Sequence, residues 1–515
     1  MWHWFAIALL VLAIALVGTL LLVNHLAPPA TGRPSHSLPL QPAQSEIDRE
    51  LSPLLAAHPG KTGAIVLTEG IDAFAARAIS ARKAGRSLDL QYFIWHNDLT
   101  GRLLASEAYD AAERGVRVRI LLDDMNAVGL DPHLLAMDAH PGVELRVYNP
   151  FRNRGGPGRA FELLRRLFSM NHRMHNKAWI ADGRVAIIGG RNIGEQYFSA
   201  DSEVNFRDLD LLLLGPAVQQ ASTIFDSYWN SSAAVPISTL GTKDRQSPHG
   251  LMDHVRRDAR GAGARRYLDR VAESQLVRDY YRHALTPHWS AGIEIAADPP
   301  VKWTGDNRNQ WLVGRLTSMI SAASTKVLVI SPYFVPGEDG TERLASLTGR
   351  GTYVGVVTNS LAATDVYPVH AGYADYRGRL VRHGVDLYEL RAHAHAHGAT
   401  RIVRPGASLH TKAFVLDDER GFVGSFNVDP RSKNLNTEMG VLFDDPVIAA
   451  QVRDEYLRLT DPATSYWVYE NSEGELRWLD RAQASPVVID SEPDAGIWSR
   501  TLARVSGWLP IESQL

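Results

Sequence analysis

The chain has 515 residues, more than one hydrophobic core serves, so two or more domains are expected. Hydrophobic residues make up 45% and charged residues 22%, which excludes disordered, collagenous and low-complexity classes. A formal net charge of -3 lacks the basic excess of a dedicated nucleic-acid binder, and the absence of cysteine removes disulfides, thiolate catalysis, thiolate zinc sites and a lipid-modified cysteine.

Trp4 to Val23 carries no charge. At 1.5 Å per residue such a run spans about 30 Å, the thickness of a bilayer core. A cleaved signal peptide would have a basic n-region and a shorter apolar core; this segment has neither, so it reads as an uncleaved anchor over residues 1–26. Residues 27–44 are rich in Pro, Ser and Gln, and 27–50 read as a linker. Strand and helix patterns then alternate. Residues 87–95, 116–124 and 143–151 look like strands and 103–115 like a helix, the mark of an α/β layered domain.

The same order returns in the second half, with strand patterns at 326–334, 352–360 and 385–391. The expectation is an α/β protein of two similar lobes, each a mixed sheet flanked by helices, arisen by internal duplication. The lobes span 51–231 and 301–515, with a helical insertion over 232–300.

The duplication is sharpest at its most polar points. His175-Asn176-Lys177 is followed by Asp182, Gly189 and Asn192; His410-Thr411-Lys412 is followed by Asp417, Gly424 and Asn427. Every matched pair is separated by the same 235 positions, as His410 is from His175. Residues two apart on a strand share a face, so each copy presents His beside Lys. Apolar neighbours bury the strand, and buried cations need an anion; a phosphate group fits Lys and Asn donors. Two copies face to face would surround one phosphate. One His would attack phosphorus, while the other would protonate the leaving alkoxide and then deprotonate the incoming alcohol or water. Lys and Asn would stabilise the developing charge. Each attacking imidazole needs an acceptor on its other nitrogen. Glu438, 28 past His410, and Asp208, 33 past His175, are the candidates, each assigned to the histidine that precedes it. One such motif arises easily by chance; two at a constant offset do not. The scheme requires no metal and no other cofactor.

The paired motifs resemble those of the phospholipase D superfamily. The second continues Asn427-Val428-Asp429-Pro430-Arg431-Ser432, then Asn436-Thr437-Glu438, which is similar to the bacterial cardiolipin synthase signature. Residues 91–104, 173–198, 331–340 and 358–377 resemble the C-type synthases. The resemblance covers roughly residues 60–515. It implies transfer of a phosphatidyl group between phospholipid and an alcohol acceptor through a phosphohistidine, giving cardiolipin, with membrane phospholipids (phosphatidylglycerol or phosphatidylethanolamine) as partners and the donor and acceptor left open. The close alternative is hydrolysis to phosphatidic acid. Gly190 stands where many relatives have Ser, so one hydroxyl donor is missing.

The expected catalytic set is therefore His175, Lys177, Asp182, His410, Lys412 and Asp417. Asn192, Ser425 and Asn427 would bind phosphate, and Asp208 and Glu438 would orient the histidines. A monomer at the bacterial inner membrane, with no nucleic-acid partner, completes the expectation. Three weaker signals remain. Arg159, Arg165, Arg166 and Arg173 flank apolar residues, as in an interfacial helix or one packed on its own lobe. His393, His395 and His397 read as a solvated loop rather than a metal tract. His370 and Tyr373 are either pocket residues, as the resemblance suggests, or buried structural ones.

Overall fold

The computed structural model describes Trp4, Ile7 and residues 32–127, 129–151, 154, 171–240, 248–305, 308–392, 406–507 and 512–514. The expected anchor lies outside these apart from Trp4 and Ile7. Among the described residues no helix is long and apolar enough to cross a membrane. Arg159, Arg165, Arg166, His393, His395 and His397 also lie outside them.

Two large mixed sheets carry the chain. The first contains β1 (Thr62–Leu67), β2 (Ser87–Tyr92), β3 (Arg117–Asp123), β4 (Val143–Tyr148), β5 (Ala178–Ala181) and β6 (Val185–Gly189). A short strand β7 (Val204–Arg207) stands apart, and β8 (Asp210–Leu214), β9 (Ala234–Pro236) and β10 (His288–Ser290) complete the sheet. The second contains β11 (Ile293–Ala297), β12 (Lys326–Ile330), β13 (Tyr353–Asn359) and β14 (Asp386–Leu390). After the separate β15 (Gly406–Leu409) come β16 (Ala413–Leu416), β17 (Arg420–Gly424), β18 (Met439–Asp444), β19 (Ser465–Glu470), β20 (Leu476–Asp480) and β21 (Val487–Ile489).

The duplication is visible in strand order. The run β8-β6-β5-β2-β3-β4 in one sheet matches β18-β17-β16-β12-β13-β14 in the other. Within each run the last three strands are parallel and the rest antiparallel. The parallel steps use helical crossovers, Leu99–Glu113 between β2 and β3 and Gly337–Gly349 between β12 and β13.

Side-chain alternation decides how the lobes meet. Ala178 and Ile180 of β5, with Ala413 and Val415 of β16, enter one core cluster shared by both lobes. Trp179 and Ala181 face the first lobe's own core, and Phe414 and Leu416 face the second's. Strands buried on both faces read as apolar runs, which is why the segments after each His-x-Lys are almost wholly hydrophobic. Helices Pro216–Trp229 and Pro446–Leu459 fill the shared core with Phe225, Trp229, Val452 and Tyr456.

From Arg33, whose carbonyl accepts from Arg146, the predicted linker packs on the first lobe, with Ser37 N donating to Asp226 at 2.8 Å, and the helix Glu46–Ala57 runs across its expected end. The insertion contributes the helices Pro248–Asp258, Ala262–Ala272 and Gln275–Tyr281. Its last strands β10 and β11 join the first and second sheets respectively.

Candidate active site

β5 and β16 hold the motifs. His175 to Lys177 and His410 to Lys412 run into the N-terminal ends of these strands rather than lying on them. Each segment is fixed by the opposite lobe. His175 N donates to Thr437 O at 2.9 Å and Thr437 N to Arg173 O at 2.9 Å. His410 N donates to Arg207 O at 2.8 Å, where β15 pairs in parallel with β7 and Leu409 stands against Arg207. Thr437 and Arg207 each precede a candidate carboxylate, so the two crossings are related by the same pseudo-twofold arrangement.

The carboxylates therefore cross over. His175 Nδ1 donates to Glu438 Oε2 at 2.8 Å, and His410 Nδ1 donates to Asp208 Oδ2 at 2.6 Å. The spacing had paired Asp208 with His175 and Glu438 with His410 within each lobe. That pairing is corrected, because the carboxylates stand in the short segments leading into β8 and β18, whose residues enter the shared core between the lobes, and so face the partner motif. All four side chains are buried. With the proton held on Nδ1, each imidazole has an unprotonated Nε2.

Burial chiefly pushes His175 down to about 4; the lysines 177 and 412 add to this against the pull of Glu438. Burial, then Lys412 and Lys177, holds His410 well below the ordinary histidine range. Lys177 falls to about 7 through burial and the nearby Lys412, and Lys412 to about 8 through burial. Each ammonium is anchored to its own motif, Lys177 Nζ donating to His175 O at 2.7 Å and Lys412 Nζ to His410 O.

The carboxylates differ. Burial raises Asp208, against Lys412 and Arg191. Burial also pushes Glu438 upward, but His175, Lys177 and Ser425 outweigh it and hold Glu438 below its ordinary range. Hydroxyls account for part of the contrast: Ser425 Oγ donates to Glu438 Oε2 and Ser432 Oγ to Oε1 at 2.8 Å. Ser425 is thus already engaged with the orienting carboxylate. In the first lobe a Cβ on Gly190 would stand 2.1 Å from Asp208 Oδ1. The missing serine is a consequence of this close approach, not merely a lost donor.

Asn192 and Asn427 are both buried. Asn192 Nδ2 donates to Tyr197 OH at 2.9 Å and its Oδ1 accepts from Ile94 N at 3.2 Å. The backbone N of Asn427 donates to Ser432 Oγ at 3.3 Å.

Asp182 and Asp417 are not beside the histidines, and their expected catalytic place is corrected. They follow β5 and β16 at the far ends, in hairpin turns with φ of 53° and 55°. Asp182 accepts from the backbone N of Gly85, Arg86 and Ser87 at 3.0, 2.8 and 2.9 Å. Asp417 accepts likewise from Thr325 at 2.8 Å and Lys326 at 3.0 Å. Each caps the start of the neighbouring strand, β2 or β12. Asp suits this position because its short side chain tolerates positive φ and bonds nearby backbone.

The sequence reading missed the aromatic walls. Phe93 meets the His175 ring edge-on at 5.1 Å, and Tyr197 and Phe206 approach His410 at 5.1 Å. It also missed Asp123, which accepts from Met174 N at 2.8 Å and fixes the approach to His175. Asp123 ends a strand and Tyr197 follows the first motif, but only the fold turns them inward. His370 and Tyr373 belong to a buried network: Tyr373 OH donates to Glu389 at 3.0 Å, and His370 Nε2 lies 3.5 Å from Glu492. This corrects the pocket reading in favour of the structural one. Among the described residues no group of three or more His, Asp or Glu could hold a metal ion.

Two imidazoles with open Nε2 atoms and two buried ammonium groups can hold an anion and exchange protons with it. The family model described as cardiolipin synthase, PLD-like domain matches residues 79–229 and 316–460, one stretch around each motif. This chain belongs to that family. Cardiolipin synthase C of Escherichia coli is 38% identical over 477 residues, covering 89% of this chain and 98% of the relative. A Staphylococcus aureus cardiolipin synthase is 26% identical, covering 76% and 66% of the respective chains. Among solved structures, phosphatidylserine synthase of Haemophilus influenzae superposes with a TM-score of 0.57 at 12% identity, covering 91% of this chain and 99% of that one. That likeness shows the two-lobed fold alone.

Proposed function

We propose that this chain is a phosphatidyltransferase of the cardiolipin synthase type, using His175 and His410 in turn as nucleophile and proton carrier. The observation that carries the reading is the pair of buried imidazoles, each held at Nδ1 by a carboxylate of the other lobe. Family membership supplies the reaction class.

A phospholipid donor brings one phosphodiester anion between Lys177 and Lys412. Its negative charge offsets the lysines' mutual repulsion and raises the depressed pKa values of the histidines. One Nε2 attacks phosphorus, and the phosphorus–oxygen bond to the departing alcohol breaks. The protonated second imidazole gives its proton to that oxygen. The hydroxyl of the acceptor lipid then attacks the phosphohistidine while the second imidazole, now neutral, takes its proton. The nitrogen–phosphorus bond breaks and the new phosphodiester leaves. Lys177, Lys412, Asn192 and Asn427 are assigned to the non-bridging oxygens, and Asp208 and Glu438 to the imidazolium that forms in each step. Ser425 is assigned to orientation of Glu438.

Phosphatidylglycerol is the proposed donor and acceptor, with phosphatidylethanolamine a second donor. One chain carries both half-sites, which supports a monomer. Residues 1–26 are proposed as its tether to the bacterial inner membrane. The proposed lobes run from Glu46 to Ser290 and from Ile293 onward, which assigns the inserted helices 248–281 to the first.

The test is purified full-length protein in detergent micelles with labelled phosphatidylglycerol, alone or with phosphatidylethanolamine, and products resolved by mass. Cardiolipin as main product is expected. Phosphatidic acid as main product would make water the acceptor and overturn the transferase reading.

A further inference from the structure

The helix Ile497–Gly507 turns an apolar stripe outward. Trp498, Leu502 and Val505 recur at helical spacing and are 78%, 49% and 47% exposed, with Ile497 at the helix start 78% exposed. Single exposed apolar residues are ordinary, but a contiguous patch marks an interaction site.

The other side of this helix is fixed. It packs on the helix Tyr367–Arg382. Arg500 Nη2 donates to Glu492 O at 2.9 Å, and Tyr367 OH lies 3.5 Å from Ser499 Oγ. The stripe is therefore held outward by the body of the second lobe. Charge accompanies it: the helix carries Arg500 and Arg504 and no acidic residue, and Arg504 is exposed. Its place relates it to the histidine site. Four residues before Tyr367, Ala363 O accepts from Ser408 Oγ at 2.8 Å, which ties this segment to the stretch that leads into His410.

We propose that the Trp498–Leu502–Val505 face docks in the anionic headgroup layer of a phospholipid bilayer, beside the second half-site. The inference rests on the phosphatidyltransferase reading, which requires lipid to reach buried histidines. A basic, apolar, acid-free helix lying in the interface plane fits that partner. A second copy of the chain fits less well, because a twofold contact through this short stripe would set the same arginines against each other. The face orients the catalytic body on the membrane, which a tether alone does not do.

The chain has no cysteine, so single labels are clean. Leu502→Cys, and Glu113→Cys on the first lobe as control, carry a nitroxide in the full-length protein reconstituted in vesicles of phosphatidylglycerol and phosphatidylethanolamine. At position 502, collision with oxygen is expected to exceed collision with a water-soluble nickel chelate by about threefold or more relative to the control, as for a group in the acyl boundary. Equal nickel access at both positions overturns the proposal. So does dipolar broadening between labels, which would mean that a second copy covers the face. A kinetic arm uses Trp498→Ser with Leu502→Ser. Turnover on vesicles is expected to fall about tenfold as apolar contact is lost, with turnover on short-chain phosphatidylglycerol dissolved as monomers within about twofold of the unsubstituted chain. Equal loss on both substrates overturns the proposal. Failure of the transferase reading looks different: the unsubstituted chain would form no cardiolipin from either substrate, while the label still reports docking.

Discussion

Glu438 of the second lobe holds the imidazole of His175 in the first at 2.8 Å, across 263 positions of sequence. His410 and Asp208 mirror it across 202 positions at 2.6 Å. Each half-site is thus completed by the other lobe. Glu438→Gln keeps the shape and removes the charge that stabilises an imidazolium. A loss of about 10²–10⁴ in kcat is expected, as for other carboxylate–histidine pairs. His175→Asn should cost at least about 10³, and adding Glu438→Gln to it should cost little more, because residues acting as one unit are not additive. A double-mutant cycle on cardiolipin formation checks this. Additive losses would separate the two residues functionally.

Gly190 and Asp208 form a second linked pair. A side chain at 190 meets Asp208 Oδ1 at 2.1 Å, so Gly190→Ser must displace the carboxylate that holds His410. Activity should fall by roughly 10–100-fold, the scale of disturbing a partner that orients a reacting group. Adding Asp208→Glu recreates the Ser425–Glu438 arrangement of the other lobe and should recover part of the loss. The rate of the double variant against Gly190→Ser alone is the measurement.

Asp182 bonds to the backbone at the far end of β5, so its expected role is in the fold and not in the reaction. Asp182→Ala removes acceptors from three backbone N–H groups and leaves a non-glycine residue at positive φ. A loss of about 2–4 kcal/mol in unfolding free energy is expected from unmade buried hydrogen bonds. Turnover per folded molecule should stay within about tenfold, against the about 10³ of the histidine variants. Denaturant melts and assays on the same preparations distinguish the two. A turnover loss as large as that of His175→Asn would return Asp182 to the site.

The depressed pKa values set a pH window. His175 near 4 is neutral, and able to attack, at any pH above that. Lys177 near 7 and Lys412 near 8 carry charge only below those values. In the free enzyme kcat/KM should therefore fall as the pH passes 7 to 8, where both lysines lose their charge and neither histidine holds the proton that the leaving alkoxide needs. Stability follows the same histidine. Between 6.5 and about 4 the unfolded imidazole binds a proton that the folded one does not, so stability falls as pH drops through that window. Melts of the wild type and His175→Asn across pH 4–7 check the sign, since the variant should lose part of the slope.

Residue chemistry and repetition were written in the chain itself. Two His-x-Lys motifs at one offset, each leading into an apolar strand, determined the doubled α/β architecture, the buried cations and the phosphate chemistry. Local periodicity suffices for this, because alternation and motif spacing are properties of neighbouring residues. The partner of each histidine was not local. Asp208 and Glu438 were visible as candidates, but the crossed pairing depends on Arg207 and Thr437 bonding to the opposite lobe. Asp182 and Asp417 looked catalytic because they share the motif, yet the strand between carries them to its far end and into turns. His370 likewise drew its partner Glu492 from far along the chain. Which carboxylate meets which cation is decided by how two sheets pack, and the sequence interval between them carries no information about that.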